Sequence, residues 1–367
     1  MAAAGISDSI LVVLPPREGF SAQHFGAIAL CVQDFITHSR YRAQSTVIGG
    51  IDGDSFPEIP YHALAQKHWW QTRSYAYARA CLAQIKIQNP ALVEVHNRPN
   101  LAHYLAKRWR GKIALHLHND PQEMKLAKTS AQRQWLLNHC AAIYCVSDYI
   151  RQRFVEGLSG DIHKAHVVYN GLALPDPGSF PSKQKKIIFV GRLKPEKGAL
   201  EFAQAMAKIL PAYPEWKCEF IGATRHQPDA KTSPYENTIR STLDPLGTQL
   251  EMLGFCNYAE TLRATAEATI AVIPSTWNEA FGRTALEAMS HGCITISSTR
   301  GGLREVIGDA ALPLYKVNAT TIAEAVENVI THPEKWEFWQ KHALTQAKHF
   351  SIEAVTETLD DIRASLL

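Results

Sequence analysis

Several features are missing from this 367-residue sequence, and each absence excludes something. The seven cysteines, at positions 31, 81, 140, 145, 218, 256 and 293, include no C-x-x-C pair, and their number is odd. That argues against a disulfide framework or a structural zinc site, and for free buried thiols in a reducing compartment. No apolar run approaches the ~20 residues that span a bilayer. Met1 to Ser9 has neither a basic region nor a long apolar core, so no secretory signal is expected there. An excess of one charge is also lacking: 38 Lys and Arg stand against 35 Asp and Glu, a net of +3. A dedicated nucleic-acid binder is usually more basic. Glycine (21) and proline (19) are close to average usage, with no repeat or low-complexity tract, which excludes fibrous and broadly disordered chains. What is present is a 46% hydrophobic chain long enough for two domains of ~150 residues or more. The expectation is a soluble, cytoplasmic, two-domain protein.

Short apolar runs alternate with helix-like stretches. In the first half the strand-like runs are Ser9–Leu14, Ser45–Ile48, Leu92–His96, Ile113–His118, Ala142–Val146 and Ala165–Val168. Helical patterns cover Gly26–Thr37, Tyr61–Ile87 and Leu101–Trp109. Leu174–Lys186 breaks the rhythm with three prolines, a glycine and a basic run, and reads as a linker. Its KQKK cluster is expected to be a solvated strand entry. A second series follows through Lys186–Val190, Cys218–Gly222, Leu250–Gly254, Ile270–Pro274, Cys293–Ser297 and Ala311–Leu314. Two amphipathic helices close it, near Pro333–Lys348 and Ser351–Leu367. Alternation of this kind predicts an α/β protein with two doubly wound parallel sheets. The expected domains are 1–174 and 175–349, with 350–367 a helix packing back on the first. Ligands of open α/β sheets bind at the strand C-terminal edges, so a central cleft is expected there.

Two clusters in the second half carry chemistry. Gly191-Arg192-Leu193-Lys194-Pro195-Glu196-Lys197-Gly198 follows a strand and precedes a helix. Arg192 offers a planar fork of donors and Lys197 a compact cation, beside a helix N-terminus that favours anions. The pair suits a diphosphate; alone, it reads equally well as a basic loop. Further on, Glu279 and Glu287 stand eight positions apart in Glu279-Ala280-Phe281-Gly282-Arg283-Thr284-Ala285-Leu286-Glu287, where a helix opens. Each carboxylate can accept paired hydrogen bonds from vicinal hydroxyls.

Together, G-R-x4-K-G, P-S-x-x-E-x-F-G-x4-E-A-M and S-T-x-G-G-L-x-E resemble the family-4 retaining glycosyltransferases, which have the GT-B fold of two Rossmann-like domains. The likeness is close over Gly191–Gly198, Leu253–Pro274, Glu279–Met289 and Gly301–Glu305. It is looser in the first half, through Ser147 and Asn170-Gly171. The resemblance implies that Arg192 and Lys197 clamp a nucleotide diphosphate and that Glu287 binds the ribose hydroxyls. Glu279 would contact hydroxyls of the donor sugar, and the N–H groups of Ala280, Phe281, Gly282, Arg283 and Thr284 would meet sugar and phosphate. Phe255 and Cys256, within Gly254–Asn257, would lie by the nucleobase, and Gly301-Gly302 would form a turn lining the cleft. Gly19 would let the loop after the first strand approach the diphosphate, although Gly19-Phe20 replaces the commoner double glycine. His118 aligns with a histidine near the sugar and the acceptor hydroxyl. His96, Asn97, His116 and Asn119 complete the expected acceptor side.

The resemblance further implies a retaining, front-face transfer of a hexose-type sugar from a nucleotide diphosphate sugar, UDP favoured, to a hydroxyl of a glycan or glycolipid. Bacterial surface polysaccharide or lipopolysaccharide assembly is its expected setting. No cofactor or metal is expected. The three histidines have no Cys or H-E-x-x-H beside them, and Asp52-Gly53-Asp54 reads as a surface turn. Tyr61–Ile87, with Trp69, Trp70, Tyr75, Tyr77, Lys67, Arg73 and Arg79, reads as a core-facing helix with a wet basic face; lying on the inner membrane surface is the alternative. Lys107-Arg108-Trp109-Arg110 adds basic surface. Competing functions are a sugar-nucleotide epimerase or hydrolase on the same fold, and a non-catalytic carbohydrate-binding relative.

Overall fold

The structure is a computed structural model that describes residues 8–21, 26–64, 72–223 and 232–367. The chain divides into two compact units, Met1–Ala173 with Ile352–Leu367, and Leu174–Ser351.

Unit 1 opens with β1 (Ile10–Val13), α1 (Ala27–His38), β2 (Ser45–Gly49), β3 (Tyr61–Ala63), α2 (Arg73–Gln88) and β4 (Leu92–His96). It continues through α3 (Pro99–Ala106), β5 (Lys112–Leu117), α4 (Ser130–His139), β6 (Ala142–Cys145), α5 (Asp148–Val155) and β7 (Ala165–Val167). The sheet is wholly parallel in the order β3-β2-β1-β4-β5-β6-β7. Its inner strands are buried on both faces, which is why they read as unbroken apolar runs. From β1 the crossovers run outward to β2 and β3, then reverse to run from β4 to β7. With right-handed crossovers, α1 covers one face of the sheet and α2 to α5 the other.

Unit 2 comprises β8 (Gln184–Val190), α6 (Ala199–Ile209), β9 (Lys217–Ile221), α7 (Pro234–Leu243), β10 (Leu250–Gly254), α8 (Tyr258–Glu267) and β11 (Ala268–Ile273). Then come α9 (Arg283–Ser290), β12 (Ile294–Ser298), α10 (Leu303–Ile307), β13 (Leu312–Leu314), α11 (Ala319–Thr331) and α12 (Trp336–Ala347). Its six parallel strands run β10-β9-β8-β11-β12-β13. Phe189, Phe202, Phe220 and Trp216 fill the core where α6 lies on β8 and β9.

The last helix, α13 (Ile352–Leu366), belongs to unit 1 and packs on α1. Its Arg363, 1% exposed, makes a two-pronged contact with Glu94 on β4 at 2.9 and 2.7 Å. It also reaches Asp360 at 2.9 Å, and Asp360 accepts the Ser39 hydroxyl at 2.7 Å. These carboxylates hold Arg363 firmly protonated against the pull of burial.

Two expectations need correction. The helix expected from Tyr61 begins only at Arg73, because Tyr61–Ala63 pairs with β2 as an edge strand; Lys67, Trp69 and Trp70 lie outside the described residues. Within α2, Tyr77 faces the core as expected: it is 2% exposed and its hydroxyl donates to the Leu14 carbonyl at 2.7 Å. The second correction concerns the basic cluster at the start of β8, which is not simply solvated. Lys186 is buried between Glu219 (2.6 Å) and Glu267 (3.2 Å), and Lys183 donates to the carbonyls of Ala268 and His291, both at 2.8 Å. All seven cysteines are free, and every one but Cys256 is buried.

Candidate active site

In each unit the strand order reverses at one point, between β1 and β4 and between β8 and β11. Crevices outside the strand ends at such points are where open α/β sheets bind ligands. Most of the sequence-predicted residues gather at these two points, whereas Phe255 and Cys256 follow the edge strand β10.

In unit 2, the loop 191–198 leaves β8 and the loop 274–282 leaves β11. They are stitched together: the Thr276 N–H donates to the Glu196 carbonyl and its hydroxyl to that of Pro195, both at 3.1 Å. Gly198 makes the approach possible. It has φ +68, and a Cβ there would fall 1.9 Å from the Pro274 carbonyl oxygen. As a result Lys197 meets Glu279, with Nζ 2.6 Å from Oε1, and the Ser275 hydroxyl donates to the same oxygen at 2.6 Å. Both side chains are partly buried, so water screens this pair less than a surface one. Glu279 is anchored from behind by a parallel bridge to Gly301, and its carbonyl accepts the Gly302 N–H at 2.7 Å. Gly301 has φ +60, and a Cβ there would collide with that same carbonyl.

The helix α9 starts at Arg283, capped by Gly282 at φ +114, so Glu279 precedes it rather than opening it. Its first-turn N–H groups therefore belong to Arg283 and Thr284, not to Ala280 and Phe281. Phe281 is 3% exposed with its ring against Phe350, a packing side chain. Glu287 lies in the second turn and is held by Arg283 at 3.0 Å. Arg283 also donates to the Tyr258 hydroxyl at 3.1 Å. Tyr258 directly follows Gly254–Asn257, so α9 and the end of β10 are joined through one arginine. Nothing in the spacing pointed to Tyr258. Arg192 is exposed on the β8 loop, and Phe255 is 43% exposed beyond the edge strand β10, with Cys256 half-buried beside it. The Cys256 thiol is pushed up by burial and then by the nearby Glu260 and Glu219 charges, so it is a poor thiolate.

In unit 1, β1 leads to the loop holding Gly19, and a neighbour that sequence reasoning passed over is engaged there. The Glu18 carboxylate accepts the Ala29 N–H at 3.2 Å, capping the N-terminus of α1. Desolvation raises its pKa despite those backbone donors. A Cβ on Gly26 would strike this carboxylate, so that glycine makes room for the cap. The glycine before the helix was the available signal.

The strands β4 and β5 bring three imidazoles together. His96 and His116 are register partners and His118 lies two residues on, so the rings stack. His96 Nδ1 and His118 Nε2 are 3.0 Å apart, with one donating to the other. His96 and His116 are 2% and 1% exposed, so they stand behind His118 instead of facing an acceptor. Burial lowers the pKa of His96 to about 3 and holds His116 well below the usual range; for His116 the neighbouring histidines add to it. His116 Nε2 and the Tyr144 hydroxyl are buried with no partner among the described residues. Asn97 ties the two loops: its N–H donates to the His116 carbonyl at 2.7 Å, and its Oδ1 accepts the His118 N–H at 3.2 Å. Asn119 is exposed. Among the described residues these histidines also form a possible metal-ligand group, with nitrogens within 4.8 Å of one another. The rings lie at 21–35° to each other, and His96 and His118 share a direct N···N hydrogen bond. Asp52, Gly53 and Asp54 are all exposed.

Two Rossmann-like units, each built on a parallel sheet, are the architecture of the GT-B class. The description "Glycosyl transferases group 1" matches residues 173–346, and "Glycosyltransferase Family 4" matches residues 34–174. The chain belongs to this glycosyltransferase family and is a transferase. It is 25% identical to YtcC of Bacillus subtilis (strain 168), over 93% of this chain and 88% of that one. It is 20% identical to the lipopolysaccharide 1,2-N-acetylglucosaminetransferase of Salmonella typhimurium, over 82% and 80%. Anabaena HepE, solved with UDP, aligns with a TM-score of 0.76 at 17% identity, over 97% of this chain and all of that one.

Proposed function

We propose that this protein is a metal-independent, retaining glycosyltransferase that moves a hexose-type sugar from a UDP-sugar to a hydroxyl of a glycan or glycolipid. The observation that carries the reading is the Lys197–Glu279–Ser275 cluster at the switch point of unit 2. Lys197 and Arg192 are assigned to the diphosphate, whose charge grows as it departs. Oε1 of Glu279 is already engaged, and its other oxygen is assigned to sugar hydroxyls. Arg283 orients Glu287 toward the ribose, and the α9 N-terminus faces phosphate. Gly254–Asn257 is assigned to the base. His118 is assigned to the sugar and the acceptor hydroxyl, as a neutral hydrogen-bonding group.

In the step itself the acceptor oxygen bonds to the anomeric carbon while the carbon–oxygen bond to the diphosphate breaks. Both events occur on one face, so configuration is retained. The acceptor proton passes to a diphosphate oxygen, and the nucleoside diphosphate leaves. The solved complexes of HepE with UDP and with UDP-glucose support a UDP donor. The name of the Salmonella relative supports a surface-polysaccharide setting.

Thermal unfolding with UDP, GDP and ADP in the presence of a chelator tests this directly. UDP at ~100 times its dissociation constant stabilises by about 2.7 kcal/mol, while GDP and ADP do less. Lys197→Ala abolishes most of that gain and lowers turnover by at least about 100-fold. Turnover of a UDP-sugar without acceptor would instead identify an epimerase or hydrolase. A Lys197→Ala protein with unchanged turnover would refute the assignment of the diphosphate.

A further inference from the structure

An arginine that loses water normally gains partners, because a desolvated cation without them is costly. Unit 1 follows this rule at three places. Arg363 holds Glu94 and Asp360, Arg153 holds Asp120, and Arg133 donates to the carbonyls of Phe154, Ala127, Lys128 and Glu156. Arg98 departs from it. The residue is half-buried, yet among the described residues its fork of N–H donors makes a single hydrogen bond, from Nη1 to the carbonyl of its own neighbour Asn97 at 2.9 Å. It makes no ion pair among the described residues. The other stretches of unit 1, residues 1–7, 22–25 and 65–71, contain no Asp or Glu that could supply one.

The position of this cation gives its isolation a meaning. Arg98 follows His96 and Asn97 at the end of β4, immediately before α3. Desolvation lowers its pKa; Glu18 and Tyr77 then act to raise it, and Arg17 lowers it again. Arg17 and Glu18 belong to the loop after β1, and the Tyr77 hydroxyl is fastened to the Leu14 carbonyl at the end of that strand. The guanidinium therefore lies by the β1–β4 switch point, where the sheet of unit 1 opens to ligands. Glu18 does not neutralise it. That carboxylate is turned to the N-terminus of α1, accepts the Ala29 N–H at 3.2 Å, and forms no ion pair with Arg98. Arg17 is exposed and adds a second positive charge to the same crevice.

We infer that Arg98, with Arg17 beside it, receives an anionic group of the acceptor, so that the preferred acceptor carries a carboxylate or a phosphate close to the hydroxyl that reacts; calling this ligand the acceptor rests on the transferase reading above. A planar fork with its N–H groups unspent matches the paired oxygens of either anion. Partial burial strengthens such a contact relative to one in open water. The diphosphate of the donor is assigned to Arg192 and Lys197 of unit 2, which leaves the Arg98 site for a second anion. Asn97 joins this site to His118, since one residue carries both the carbonyl that Arg98 holds and the amide oxygen that holds the His118 N–H. An anion on Arg98 thus fixes the acceptor near the histidine assigned to its hydroxyl.

The test is titration calorimetry of the full chain, with UDP present to occupy the donor site, against three probes: methyl glucoside, methyl glucuronide and a phosphorylated methyl glucoside. At least one acidic probe is expected to bind about tenfold or more tighter than the neutral one, the gain of a charge-assisted contact. The comparison of the two acidic probes tells carboxylate from phosphate. Arg98→Gln removes the preference, whereas Arg108→Gln, at an exposed arginine of the same unit, keeps it. Arg98→Lys, a milder second variant that keeps the charge without the fork, loses at least part of it. Equal binding of all three probes, or binding of none, overturns the proposal. So does a preference that survives Arg98→Gln, or one that Arg108→Gln removes as well, because a general positive field would then be responsible. The UDP-induced thermal shift is read on every variant. A normal shift without acid preference sinks this site and leaves the donor reading standing; acid preference without any UDP shift does the reverse.

Discussion

Asn97 sits at φ +54, where a residue with a Cβ is normally strained, and it is 3% exposed. Asparagine tolerates that conformation, and its amide oxygen holds the His118 backbone in the same stroke. Asn97→Gly keeps the backbone conformation and loses the acceptor, at about 1 kcal/mol; Asn97→Ala loses both, at about 2–3 kcal/mol. Urea unfolding measures both costs. If the two variants are equally stable, backbone strain is not part of the residue's role. Motif residues such as Lys197, Glu279 and Glu287 could be picked out from spacing, because their residue types stand in an ordered string. Their partners could not. The pairing of Lys197 with Glu279 spans 82 positions, and the contact of Arg283 with Tyr258 spans 25. Such contacts exist only after the strands have aligned their loops. Glu18 was overlooked for a similar reason, since a carboxylate eleven positions before its helix N–H is not a conventional cap.

The stacked histidines at the ends of β4 and β5 act as an element, and they make unit 1 sensitive to acid. His96 has a folded pKa of about 3 against an ordinary 6.5, so the unfolded chain takes up a proton first. The stability tied to neutral His96 is complete above pH 6.5 and is lost as pH falls toward its folded value. The loss is about 1.4 kcal/mol per pH unit. His116 adds to it with the same sign. His96→Gln, neutral at all pH, is expected to flatten the dependence by one proton's worth. Urea midpoints followed between about pH 6.5 and pH 5 read that slope. A slope identical to wild type would mean that His96 is charged in the folded protein. Most strands were legible because parallel strands buried on both faces form unbroken apolar runs. The exception, β3, has three residues at the sheet edge, YHA, with only partial burial. So short and weakly apolar a segment merged into the aromatic, basic stretch after it.

On the scale of the molecule, unit 1 is built from both ends of the described chain. Its largest buried charge cluster is Arg363 with Glu94 and Asp360. Removing one member of a buried pair strands the other, at about 3–5 kcal/mol, whereas removing both is far milder. Arg363→Met should therefore destabilise unit 1 by that amount, and Arg363→Met with Glu94→Leu should recover much of it. Hydrogen exchange resolved by segment can follow this, with α6 and β8 of unit 2 as an internal reference. Loss of protection confined to unit 2 would contradict the assignment of α13. The pair is 269 positions apart, which no local pattern in the sequence could reveal.

That return of α13 also bears on the order in which the protein can be born. As the chain leaves the ribosome, β1 to β7 emerge first, yet Glu94 has no counter-ion until Arg363 follows. The stretch Leu174–Ser351 is continuous and complete before then, so the second unit to be translated is the first able to close. The earlier unit must wait, half-finished, for the last helix. A nonsense codon shortly after Ser351 would therefore harm the distant start of the polypeptide more than the segment next to it.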